Sequence, residues 1–216
     1  MAHHEDDVFK NYKLIWDKIL DKIKDKYPID VLFMYCDEKI EDEYIIKDNN
    51  LISKCKENYW QALLTKVISG FKHFQKNDYD LIFKTNLSTI VNFDKFYEFC
   101  VKIDTENIIY QGFIGSYEKY LFCSGAGMLL NKKSVEIVLN NLDKIDDTWT
   151  DDIFIGYILN NLNNIQPSMG GLNRLDILKD MVINDDIKNY THIRIKIRQE
   201  NKDIHYTNKV FEILYG

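Results

Sequence analysis

Six consecutive apolar residues, Val31 to Cys36, stand between two long segments whose apolar residues recur at helical spacing. In residues 8–26, Ile15, Ile19 and Ile23 fall on one stripe, with Trp16 and Leu20 beside it. In residues 57–75, Trp60, Leu63, Leu64, Val67, Ile68 and Phe71 supply a second stripe. A run with no polar alternation has no face to give to water, so it suits a strand covered on both sides. Helix, buried strand and helix in succession predict an α/β domain: a mainly parallel sheet flanked by helices, Rossmann-like in plan. Ligands of such sheets bind beyond the carboxyl ends of the strands.

The remaining pattern extends this order. Tyr27-Pro28 stops the first helix. Tyr44 to Lys47, Asp80 to Lys84, Ile108 to Tyr110 and Phe122 to Leu130 read as strands. Phe93 to Val101 reads as a helix capped by Asn92. Residues 132–141, 151–162 and about 205–215 read as further helices. His192 to Ile197 alternates polar and apolar, a half-buried strand with its polar face outward. With 216 residues and only two prolines, the chain has room for one domain, 1–216, and none for a long linker.

The net charge of −6 is spread along the chain without a basic cluster, which excludes general nucleic-acid binding. No segment has the ~18 apolar residues of a membrane helix, and no secretory signal is visible, so the expected place is the cytoplasm. Cys36, Cys55, Cys100 and Cys123 each lie in or beside an apolar run and form no Cys-x-x-Cys pair. Buried free thiols are the simplest expectation.

Four groups of residues invite chemistry. Lys84-Thr85-Asn86-Leu87-Ser88 follows a buried strand, and the oxygens of Asn86 and Ser88 suit either a weak cation site or a turn. Ser124-Gly125-Ala126-Gly127 puts two glycines into an apolar run, for close approach of a ligand or of another backbone. Asp151-Asp152 opens a helix, where acids favour the positive end of the dipole. One of them would equally serve as a general base. His192, Arg194, Lys196 and Arg198 offer basic groups that suit a diphosphate or a solvated strand face.

The order of these groups resembles the Fringe and β-1,3-galactosyltransferase group of glycosyltransferases, whose fold is called GT-A. Glu57 to Lys66 is similar to that group's Asp/Glu-x-Tyr-x-x-Leu-x-x-Lys-Thr helix. Lys84 to Asn92 falls on its Lys-x-Asp-Asp-Asp-x-Phe-Val-Asn segment, Ser124 to Leu130 on its Ser-Gly-x-Gly-Tyr-x-Leu, and Asp151 to Gly156 on its Glu-Asp-Val-x-x-Gly. The match spans roughly residues 12 to 160 and is loose around His192.

The resemblance implies a GT-A-like fold and inverting transfer from a nucleotide sugar, a uridine diphosphate sugar in that group, to a hydroxyl of a glycan or similar acceptor. Asp152 would be the base, with Asp151 the second choice. Lys84, Asn86, Ser88, Ser124, Gly125, Ala126, Gly127, Arg194 and Lys196 would meet the donor. Mn²⁺ or Mg²⁺ would sit at Asn86, Ser88 and His192. The acidic metal motif, however, stands here as Asn86-Leu87-Ser88. Metal-independent action, with basic side chains replacing the ion, is therefore the other expectation. The alternative function is a non-catalytic sugar-binding or assembly module. Donor sugar, acceptor and oligomeric state are not legible.

Overall fold

A computed structural model describes residues 7–57, 61–146 and 148–216. The first half runs α1 (Asp7–Ile23), β1 (Phe33–Cys36), β2 (Tyr44–Lys47), β3 (Asn50–Ser53), α2 (Gln61–Lys76), β4 (Leu81–Lys84), β5 (Thr89–Val91) and α3 (Phe93–Cys100). The second half runs β6 (Tyr110–Tyr117), β7 (Tyr120–Asn131), α4 (Lys132–Leu139), α5 (Asp151–Gly156), β8 (Arg174–Ile177), β9 (His192–Ile195) and α6 (Glu200–Tyr215). Two single 3₁₀ turns and a π-helical extension of α5, Tyr157–Leu162, complete it. These elements fall into two compact units.

The expected single, mainly parallel sheet is not formed. Three separate three-stranded sheets replace it, in the orders β1-β3-β2, β4-β7-β6 and β5-β9-β8. Among the named strands only β1–β3 and β8–β9 pair in parallel, with one isolated parallel bridge between Gln111 and Ser168. The cause lies in β6 and β7. Tyr117 pairs with Tyr120 across a two-residue turn, with Glu118 at φ 50°. A turn that short forces antiparallel pairing. The other edge of β7 is taken by β4, also antiparallel, so no parallel sheet can grow there. Gly112 lets the hairpin close: a Cβ at that position would lie 2.5 Å from the Gly127 carbonyl oxygen.

The first unit comprises Asp30–Lys84 and Asp104–Ser168. Its core joins Leu64, Val67, Phe71 and Phe74 of α2 to Val135 and Val138 of α4, Met128 and Leu130 of β7, and Phe154, Ile155 and Ile158. Of the expected helical stripe, Leu64, Val67 and Phe71 are buried and Leu63 and Ile68 half-buried; Trp60 lies outside the described residues.

The second unit takes in residues 7–29, Thr85–Ile103 and Met169–Gly216. Helices α1 and α6 pack together, and Tyr12 donates to the buried Asp203 at 3.4 Å. Asn92 caps α3 as expected, its side chain accepting from the Lys95 amide.

Two of the four thiols are not free. Cys36, at the end of β1, is bonded to Cys55, just past β3, with Cα atoms 5.2 Å apart. The pairing follows from the register, which sets Cys36 opposite Ser53. A loop closed across 19 residues contributes about 3 kcal/mol by the chain-entropy model. Burial pushes the remaining thiols, Cys100 and Cys123, up to about 12, so neither is a nucleophile at neutral pH. Alkylation of the denatured, unreduced protein should label two cysteines by intact mass. Four labels would contradict the bridge.

Candidate functional site

Lys84 is the last residue of β4 and pairs in register with Met128 of β7. Its aliphatic stem therefore runs beside the Ser124–Gly127 segment. The side chain is only 4% exposed. Its ammonium lies 2.5 Å from Asp151 Oδ2, an ion pair rather than an aligned hydrogen bond, and it donates to the Gly125 carbonyl oxygen at 2.8 Å. Asp151, at the first turn of α5, is 3% exposed. Two opposite charges thus neutralise each other where water cannot.

Gly125 uses its other backbone group as well. Its amide donates to Asp152 Oδ2 at 3.0 Å. Asp152 Oδ1 accepts from the Thr150 hydroxyl at 2.6 Å and from the Ile153 amide at 3.0 Å. Thr150 stands at the N-cap in extended backbone but spends its hydroxyl on Asp152 instead of capping. An ionised carboxylate offers roughly four acceptor positions. Three are occupied here, so the half-buried Asp152 is held in one orientation with one acceptor direction left.

Three groups far apart in sequence are therefore one physical site: Lys84, Ser124–Gly127 and Asp151-Asp152. The two glycines divide the work. A Cβ at Gly125 would strike the Lys84 ammonium and reach within 3.4–3.5 Å of both aspartates. Gly127 faces β6 instead, its carbonyl against Gly112. Ser124 Oγ accepts weakly from the Ala126 amide at 3.4 Å. Beneath them Tyr110, read from the sequence only as the end of a strand, accepts from the Cys123 amide at 2.8 Å. Burial holds its phenol well above the ordinary range.

The other expected residues belong to the second unit. The Asn86 carbonyl accepts from the Thr89 amide at 3.0 Å, and the Ser88 carbonyl from the Ile195 amide at 2.9 Å. Trp16 Nε1 donates to Leu87 O at 3.1 Å. The loop's backbone is thus anchored, with Asn86 and Ser88 half-buried. Strand β9 lies between β5 and β8, with His192 opposite Val91 and Arg174, and Arg194 opposite Thr89 and Asp176. Its polar face is covered rather than turned outward: His192 is fully buried and Arg194 half-buried. Lys196 is exposed just past the strand, its amide donating to Ile177 O at 3.0 Å.

Arg174 and Asp176 were not legible as functional, because β8 is only four residues long. Arg174 pairs with Asp176 at 2.9 Å. Burial, then the Arg174 charge, push the His192 ring down to about 3, so it is neutral at neutral pH. His192 Nδ1 stands 2.9 Å from Thr191 Oγ1.

These residues do not suit Mn²⁺ or Mg²⁺. The oxygens of Asn86 and Ser88 are neutral, and the ring that would join them lies beside a guanidinium. Among the described residues no group of three or more His, Cys, Asp or Glu is placed to hold a metal. Nor, among them, is any helix long and apolar enough to cross a membrane.

Substituting Gly125 tests the packing of the site. Gly125→Ala should displace the Lys84 ammonium and lower the unfolding free energy in urea by about 1–3 kcal/mol. Ser124→Ala should change it by less than about 0.5 kcal/mol. Equal effects would mean that Gly125 is not a required close approach. No family model matches the chain, and neither does any curated protein.

Proposed function

We propose that the chain transfers a sugar from a nucleotide-sugar donor, of the uridine diphosphate type, to a hydroxyl of a glycan or other acceptor, with inversion. One observation carries this reading: Asp152 is fixed by three hydrogen bonds and keeps one acceptor direction, inside a site assembled from three of the matched motifs. It does not depend on a parallel sheet.

In the reaction, Asp152 accepts the proton of the acceptor hydroxyl as that oxygen attacks the anomeric carbon. The bond from that carbon to the donor's diphosphate oxygen breaks, and the nucleoside diphosphate leaves with the electron pair. Asp151 takes no proton. It is committed to Lys84, and the pair is a positioning device that holds Gly125, and through it Asp152.

A second reading is favoured by the burial of that pair: half of the acidic doublet is structural, as in a non-catalytic sugar-binding or assembly module. Release of nucleoside diphosphate from a panel of nucleotide sugars, with saccharide acceptors, separates the two. Wild-type protein should turn over one donor, and Asp152→Asn should slow it by about 10²–10⁴-fold while leaving donor affinity in place. Unchanged turnover would remove Asp152 as the base. Donor binding without turnover in the wild type would favour the module.

A further inference from the structure

An aromatic cluster in the first unit takes no part in the chemistry assigned to Asp152. It starts at the tip of the β6–β7 hairpin, where Tyr117 and Tyr120 are cross-strand partners on either side of the turn, their ring centroids 5.8 Å apart. Tyr120 also meets Trp149 at 6.4 Å and Tyr157 at 5.7 Å, and those two rings lie 4.7 Å apart. Edge-on and tilted contacts of this kind are the ones aromatic rings favour. Tyr120, 4% exposed, is the floor of the cluster. Tyr117, Trp149 and Tyr157 stand half-buried around it, so each keeps part of its surface open to solvent.

Packing alone does not account for Tyr120. Its hydroxyl is shut away from water and, among the described residues, has no hydrogen-bond partner. A phenylalanine would fill the same space without stranding a polar group. Burial first, then the phenols of Tyr117 and Tyr157 and the carboxylates of Glu118 and Asp146, push the Tyr120 phenol up to about 12, so these four groups stand close to it. The cluster thus combines apolar ring surface with hydroxyls and an edge of negative charge. A pyranose has the matching chemistry, an apolar C–H face bordered by hydroxyls. Phosphate groups would be repelled by the same edge. Trp149 directly precedes Thr150, whose hydroxyl donates to Asp152 Oδ1 at 2.6 Å, so the rings and the candidate base share one short segment.

We propose that Tyr117, Tyr120, Trp149 and Tyr157 form a platform for a neutral saccharide, which lays a C–H face on the rings and gives a hydroxyl to Tyr120. It deepens the sugar-transfer reading by naming what holds the acceptor, and rests on that reading only for the saccharide's role as acceptor.

The test is titration of the whole chain with lactose, cellobiose, maltose and chitobiose, followed by calorimetry and by tryptophan fluorescence. One-to-one binding of at least one of them is expected, with a change in emission that Trp149→Phe abolishes although the other two tryptophans remain. Trp149→Ala should weaken that binding about tenfold or more. Tyr120→Phe keeps the ring, removes only the hydroxyl and so guards against misfolding of the alanine variant; its affinity should fall about fivefold. No binding of any of the four by folded wild-type protein, binding unaffected by the Tyr120 and Trp149 variants, or binding of a proline-rich peptide in place of the saccharides would each overturn the site. Saccharide binding by a protein that transfers no sugar would sink the enzyme and leave this site standing. Sugar transfer with an acceptor KM unmoved by Tyr120→Phe and Trp149→Phe would do the reverse.

Discussion

The first unit depends on a charged pair that water does not reach. Lys84 and Asp151 come from the end of a strand and the start of a helix, 67 positions apart, and each is almost completely buried. Neither charge would be tolerated there alone: losing one partner of such a pair costs about 3–5 kcal/mol. Together they fix where β4 ends and where α5 begins. Gly125 closes the arrangement because only a residue without a Cβ lets the ammonium reach its carbonyl. The same residue's amide then orients Asp152, so the candidate base inherits its position from a contact it does not make.

Each unit carries its own set of charged groups. The first holds a carboxylate with an acceptor direction to spare. In the second, on the β5-β9-β8 sheet, Arg194 shares a face with the Arg174–Asp176 pair. The proposed sugar transfer asks of the first a base for the incoming hydroxyl. Asn86 and Ser88 present neutral oxygens, and the Ser88 carbonyl accepts from Ile195 of the strand that carries Arg194.

Much of this was legible in the sequence. The stripes of α1 and α2, the Asn92 cap and β2 at Tyr44 to Lys47 follow from periodicity and capping chemistry, which act over a few residues. The order of Lys84, Gly125 and Asp151-Asp152 was legible too, though not that they would meet. What failed was the sheet. Strands β3, β5 and β8 are three or four residues long, too short to show a period, and they decide the pairing. Gly112 and Gly115 broke the apolar pattern of β6 and hid the hairpin that makes β7 antiparallel on both edges. The alternation in β9 was real, but a polar face turns to water only if nothing covers it. Cys36 and Cys55 pair through strand register, which spacing alone does not reveal.

A double-mutant cycle on the unfolding free energy, with Lys84→Met, Asp151→Leu and both together, tests the central claim most directly. Each single change should cost about 3–5 kcal/mol by stranding its partner, and the double variant should lose less than either single one. Losses that simply add would show that the two charges are not a buried pair, and the position of Asp152 would need another cause.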